Sequence, residues 1–201
     1  MAANGALDAR RELIDKWDRR HRQASDSGRI AEVLEQNLHL LPETGSDALD
    51  LACGRGANAI LLAQQGMRVR AWDFSPEAIA VVERAAREAG VELIAECRDV
   101  IDQPPRPATF DIIVVSFFLE RCLVSPIVQA LRPGGLLFYQ TFARDAVSAM
   151  GPSNPEYRLG AGELLELFRS LRPRVYRDEG RLGDPRRGCR DIAMLVAEKP
   201  A

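Results

Sequence analysis

Between Phe110 and Ser116 the chain reads Phe-Asp-Ile-Ile-Val-Val-Ser, its most apolar short run. A strand with one wet face alternates apolar and polar residues; this one does not, as expected where a parallel strand is covered by helices on both faces. The flanking sequence supplies such helices. From Asp47 onward short apolar strands and amphipathic helices alternate: DALDLA, then GANAILLAQQ stopped by Gly66, then MRVRAW, then a helix running to Gly90. Ser75-Pro76-Glu77 opens that last helix, with serine as N-cap and proline in the first turn, where its missing N–H costs nothing. VELIAEC, FDIIVVS, a helix to Leu131, a Pro133-Gly134-Gly135 turn and LLFYQTF continue the alternation.

The two ends differ from this middle. Residues 7–22 read as a charged helix with a thin apolar stripe at Leu13, Ile14 and Trp17, and Asp26 or Ser27 can cap a second helix through Leu41. After a loop rich in Pro, Gly and Ser comes the helix AGELLELFRSL. Two strands follow, around RVYRD and DIAMLVAE, with no helix between them, most simply an antiparallel pair added to the sheet edge. The expectation is one α/β domain over 1–201, a Rossmann-like three-layer sandwich with a core over 46–200 and an N-terminal helical cap over 1–41. In such sheets ligands bind beyond the carboxyl ends of the strands.

Composition excludes several classes of function. No apolar run approaches the roughly 20 residues of a membrane span, and the N-terminal MAANGALDARREL has no apolar signal core. A cytoplasmic protein with no membrane partner is expected. Cys53, Cys97, Cys122 and Cys189 are widely spaced with no C-x-x-C pair, which argues against both a metal site and a disulfide framework. A net charge of −2 argues against a nucleic-acid partner. The basic residues are almost all arginine, with only Lys16 and Lys199 as lysine, so local arginine clusters carry reduced weight.

The turn after the first strand is Leu49-Asp50-Leu51-Ala52-Cys53-Gly54-Arg55-Gly56-Ala57-Asn58. Gly54 and Gly56 permit a tight turn and close approach of the backbone to a ligand. Alone, this G-x-G-x-x-A pattern also fits a dinucleotide site. Three aspartates sharpen the reading. Asp73 ends the second strand, where a carboxylate can accept from ribose hydroxyls, and Asp99 follows the third, where an adenine amino group would lie. Asp50 precedes the glycines inside the first strand. A carboxylate there repels a pyrophosphate but suits a ligand bearing an ammonium and a sulfonium, which favours S-adenosylmethionine over NAD.

Here L-D-L-A-C-G-R-G resembles the first motif of the class I S-adenosylmethionine-dependent methyltransferases. Asp73 resembles the acidic residue of their second strand, and L-R-P-G-G-L-L the turn before their fifth. The resemblance covers about residues 46–200. It implies a mostly parallel seven-stranded sheet of order 3-2-1-4-5-7-6 with strand 7 antiparallel. It also implies that the backbone around Cys53, Gly54 and Gly56 holds the methionine part of the cofactor, supported by Asp50. Asp73 would take the ribose, Phe74 would pack on the adenine, Asp99 and Val100 would hold its edge, and Ser116 and Phe117 would line the methyl path.

The implied acceptor is a small molecule. The fourth strand ends in SFFLER and not in the N/D-P-P-Y/F pattern of nucleic-acid amino methyltransferases. Trp17-Asp18-Arg19-Arg20-His21-Arg22, Gly162-Glu163-Leu164 and the ending Arg190-Asp191-Ile192-Ala193-Met194-Leu195 resemble segments of the tellurite-resistance methyltransferases. That likeness implies a chalcogen oxyanion or a thiol as acceptor, with Arg181 and Arg186 orienting an anion through charge-assisted hydrogen bonds. Alternatives are O- or N-methylation of a metabolite with His21 as general base, a protein that binds the cofactor without transfer, and an NAD-dependent oxidoreductase. A monomer or homodimer is compatible with all of them.

Overall fold

The computed structural model describes Asp18 and residues 28–201. The helix expected over 7–22 and His21 therefore lie, Asp18 apart, outside the described residues. Seven strands form one sheet: β1 (Asp47–Leu51), β2 (Arg68–Asp73), β3 (Ile94–Cys97), β4 (Phe110–Ser116), β5 (Leu131–Phe142), β6 (Arg172–Asp178) and β7 (Ile192–Glu198). Their order is β3-β2-β1-β4-β5-β7-β6. β1 to β5 pair in parallel, and β7 runs antiparallel to both β5 and β6. The expected sheet and strand order are those observed.

The pleat sorts the core into two layers. Leu49, Leu51, Ile113, Val115, Leu137, Tyr139 and Leu195 pack on one face with α4 (Val124–Ala130) and with Leu164 of α5 (Glu163–Leu167). Ala48, Ile112, Val114, Phe138, Met194 and Val196 pack on the other, against α1 (Glu32–Glu35), α2 (Ala57–Gln64) and α3 (Pro76–Ala89). β4 supplies fully buried residues to both faces, which is why its sequence shows no alternation.

Some boundaries depart from the sequence pattern. The second helix, expected from 26 or 27 to Leu41, is an α-helix only over Glu32–Glu35, followed by a 3-10 turn at Leu38–Leu40. Gly28 sits at φ +85°, and Ala31 at the N-cap is extended, so no helix runs through them. β3 starts at Ile94 and not at Val91, because the N–H of Val91 is taken by the Ala86 carbonyl at the end of α3. β5 starts at Leu131, opposite Phe110, and the Pro133-Gly134-Gly135 segment is absorbed as a register shift inside the strand. No helix among the described residues is long and apolar enough to cross a membrane.

Candidate active site

The carboxyl ends of β1, β2, β4 and β5 meet at one edge of the sheet, and the turn from Ala52 to Gly56 lies there between β1 and α2. Gly56 has φ +81°, and a Cβ on it would stand 2.7 Å from Cγ2 of Val82 on α3. Only glycine lets the turn close while α2 and α3 pack together. Cys53 is buried in the turn and donates its backbone N–H to the Trp72 carbonyl at 2.9 Å. Burial pushes its thiol well above the ordinary value, with Asp50 and Asp73 adding to the rise. It is a packing group and not a thiolate nucleophile.

Asp50 and Asp73 share the α2 face of the sheet. Asp50 has no solvent exposure. Its Oδ2 accepts from the backbone N–H of Ala59 at 3.1 Å, and its Oδ1 has no hydrogen-bond partner. Burial pushes the carboxyl up to about 7, helped by the Asp73 charge and opposed by the Ala59 N–H and the Asn58 amide. An ionisable group this buried, with an orphan oxygen beside a glycine turn, marks a candidate binding site. Asp73 accepts from Gly54 N at 2.8 Å through Oδ2 and from Ser75 N at 2.9 Å through Oδ1, which ties the glycine turn to the β2–α3 turn.

Asp99 is carried to the same edge by its neighbour: Arg98 donates its backbone N–H to the Asp73 carbonyl at 2.7 Å. Asp99 Oδ1 accepts from Ile101 N at 2.8 Å, beside the buried Val100. Phe74 is half-buried in the turn between Asp73 and Ser75. The Ser75 hydroxyl donates to Asp18, which brings that N-terminal residue to the end of β2. Ser116 ends β4, and its Oγ accepts from the Asn58 amide at 3.1 Å. Phe117 follows at φ +54°, a left-handed conformation rare for an aromatic residue, with its side chain exposed. Its ring lies 4.9 Å from that of Phe142 at the end of β5.

The two arginines are less central. Arg181 and Arg186 lie on the β6–β7 loop. Arg181 donates to the Ala146 carbonyl at 2.9 Å and pairs with Asp145 at 3.3 Å. Arg186 pairs at 3.1 Å with Asp184 of its own loop and has 87% of its side chain exposed. Both guanidiniums thus have carboxylate partners already.

Several residues that shape this edge are given no role by the sequence reading. Arg158 donates to the carbonyls of Pro152, Met150 and Ala143 and lies over the Phe142 ring at 5.7 Å, fixing the loop after β5. Asp191, at φ +64°, accepts from Val147 N, Ser148 N and the Ser148 hydroxyl. Burial opposes its ionisation, but those donors prevail and hold it below the usual carboxylate range. Asn58 and Gln140 are buried amides on the Asp50 face. Their only signal was a polar residue inside the apolar runs ANAILLAQ and LLFYQTF.

A family model described as a methyltransferase domain matches residues 48–135. The ubiquinone biosynthesis O-methyltransferase of Xylella fastidiosa (strain 9a5c) is 33% identical over 118 residues, 55% of this chain and 47% of that protein. The protein of the same name from Methylocella silvestris is 35% identical over 125 residues, 59% of this chain and 49% of that one. The chain thus spans about half the length of these curated relatives. Among solved structures, TehB from Haemophilus influenzae superposes with a TM-score of 0.68 at 19% identity, covering 92% of this chain and 67% of that one. A structure titled for the conversion of a disulfide bond into a thioacetal group during echinomycin biosynthesis gives 0.67 at 19% identity, covering 94% and 93%. Both show the same fold.

Proposed function

We propose that this chain, whose residues 48–135 match a methyltransferase-domain model, is a class I S-adenosylmethionine-dependent methyltransferase that transfers the methyl group of that nucleoside to a hydroxyl oxygen of a small molecule. The observation that carries the reading is Asp50, fully buried with one oxygen unpartnered at the mouth of the glycine turn. A dinucleotide pyrophosphate would be repelled there, whereas an ammonium or sulfonium would be held. When bound, S-adenosylmethionine supplies a methyl carbon made electrophilic by its positive sulfur.

The chain's own residues do the rest. Asp50 and the backbone of Cys53, Gly54 and Gly56 hold the charged methionine end. Asp73, at the end of β2, takes the ribose, and Phe74, Asp99 and Val100 frame the base. Ser116 and Phe117 lie toward the acceptor, and the Phe117–Phe142 pair, its rings tilted by 38°, offers an apolar aromatic surface for a planar ring to pack against. A hydroxyl must lose its proton as it attacks, and a ring nitrogen of His21 takes it. Asp18 meets the end of β2 through Ser75, whereas His21 lies outside the described residues. Two observations favour a hydroxyl over a chalcogen oxyanion: Arg181 and Arg186 are already ion-paired, and the relatives at 33% and 35% identity bear the name O-methyltransferase.

Calorimetry with S-adenosylhomocysteine, followed by labelled-methyl transfer to catechol, 1,2-cyclohexanediol and tellurite, tests each part. Binding that weakens at least about tenfold in Asp73→Ala, with label appearing in catechol, is the expected result. No binding of the nucleoside by the unmodified chain overturns the function. Label appearing in tellurite alone overturns the hydroxyl acceptor, and full turnover by His21→Ala removes the base.

A further inference from the structure

Asn58 and Gln140 are 3% and 1% exposed, and the reading above gives neither a role. A buried amide is costlier than an apolar group of its size unless its hydrogen bonds are made, so what they bind explains why they are there. Asn58 Oδ1 accepts from the backbone N–H of Ala31 at 2.8 Å while its Nδ2 donates to Ser116 Oγ at 3.1 Å. Gln140 Oε1 accepts from the backbone N–H of Val33 at 2.7 Å. Ala31 is the N-cap of α1 and Val33 lies in its first turn, so these N–H groups have no partner within the helix. Ala31 and Val33 are themselves 1% and 0% exposed, so water does not serve them either.

The register makes the arrangement specific. Gln140 pairs with Ser116 across β4 and β5, and Asp50 with Val114 across β1 and β4. Asp50, Ser116 and Gln140 therefore all face the helix layer that holds α1 and α2. On α2 two consecutive residues divide the work: Asn58 grips Ala31, and Ala59 donates its N–H to Asp50. One turn of helix is thus bonded both to the buried carboxylate and to the segment that precedes α1.

We infer that Asn58 and Gln140 are positioning residues that clamp the segment from Gly28 to Leu34 against the carboxyl ends of β1, β4 and β5, so that occupancy of the donor site tightens that segment. The second half of this inference rests on the donor site proposed above; the clamp itself does not. Through Asn58 and Ala59, a charge arriving at Asp50 and the wall at Ala31 share one rigid element.

Amide hydrogen exchange at Ala31 and Val33, in the free chain and with saturating S-adenosylhomocysteine, reads both halves. Gln140→Met keeps the side-chain length and removes the acceptor, and Gln140→Glu restores an acceptor. Exchange at Val33 should speed about tenfold or more in Gln140→Met and recover in Gln140→Glu, with Val69 in β2 unchanged. Asn58→Leu puts the same question to Ala31, should the first variant not fold. In the unmodified chain the nucleoside should slow both amides, and the Michaelis constant for S-adenosylmethionine should rise in Gln140→Met by more than the turnover number falls. Folded variants with unchanged exchange at Val33 and Ala31 overturn the clamp. Nucleoside that binds yet leaves both amides as they were overturns the coupling, whereas failure to bind at all overturns the donor site and leaves the clamp standing on the variants.

Discussion

A carboxylate sealed from water destabilises the chain that carries it until a counter-charge arrives, and Asp50 places that cost at the centre of the molecule. Its folded-state value of about 7 lies above the ordinary 3.8. Between those values the folded chain keeps a proton that the unfolded chain has released. The stability contributed by this group is therefore greatest at low pH, falls as pH rises through that window, and is gone above it. The difference corresponds to about 4 kcal/mol. Urea titrations of Asp50→Asn should show the variant gaining on the parent between pH 4 and pH 8, by a few kcal/mol at most, while its affinity for S-adenosylhomocysteine falls. A gap between the two proteins that stays constant with pH would contradict the burial argument. Asp50, Asp73 and the glycines were legible because their chemistry is local: a charged residue inside an apolar strand and turn residues at its end. Asn58 and Gln140 were not, since each bonds a backbone group far away in sequence, Ala31 and Val33 respectively.

At the scale of elements, helix ends separate what local sequence decides from what packing decides. α3 begins where its sequence says: the Ser75 Oγ accepts from Ala78 N at 3.2 Å, with Pro76 in the first turn. Ser75→Ala should cost about 1 kcal/mol of unfolding free energy in a denaturant titration, and it also removes the donor that meets Asp18. A loss within error of zero would mean that α3 is held by its buried face alone, through Ile79, Val82 and Ala86. α1 is the opposite case. Its apolar spacing reads as a long helix, yet amides from α2 and β5 capture the N–H groups of Ala31 and Val33 and set its start at Glu32. A tertiary bond to a buried donor outweighs the few tenths of a kcal/mol per residue that propensity offers. β5 likewise swallows a Pro-Gly-Gly turn, because Leu131 already pairs with Phe110.

The whole molecule is one sheet with a core on each face, and the strand order was readable because parallel crossovers and a closing antiparallel pair leave few alternatives. Whether the two cores are independent depends on β4 and β5, whose alternate residues enter both. Phe138 lies in the layer under α1 and α2, and Phe168 in the layer beside α5; each is fully or nearly fully buried. Truncating either to alanine should cost about 3–5 kcal/mol. The chain has two tryptophans, so in a Trp17→Phe background Trp72 alone reports, and it sits on the Phe168 side, edge-on to Phe110 at 5.8 Å. Because the strands between the layers are shared, Phe138→Ala should shift the Trp72 fluorescence transition as far as it shifts the far-ultraviolet dichroism. A Trp72 transition left in place by Phe138→Ala would mean that the Phe168 layer folds by itself, and a site assembled from strand ends of one sheet would then lack the rigid base that its geometry requires.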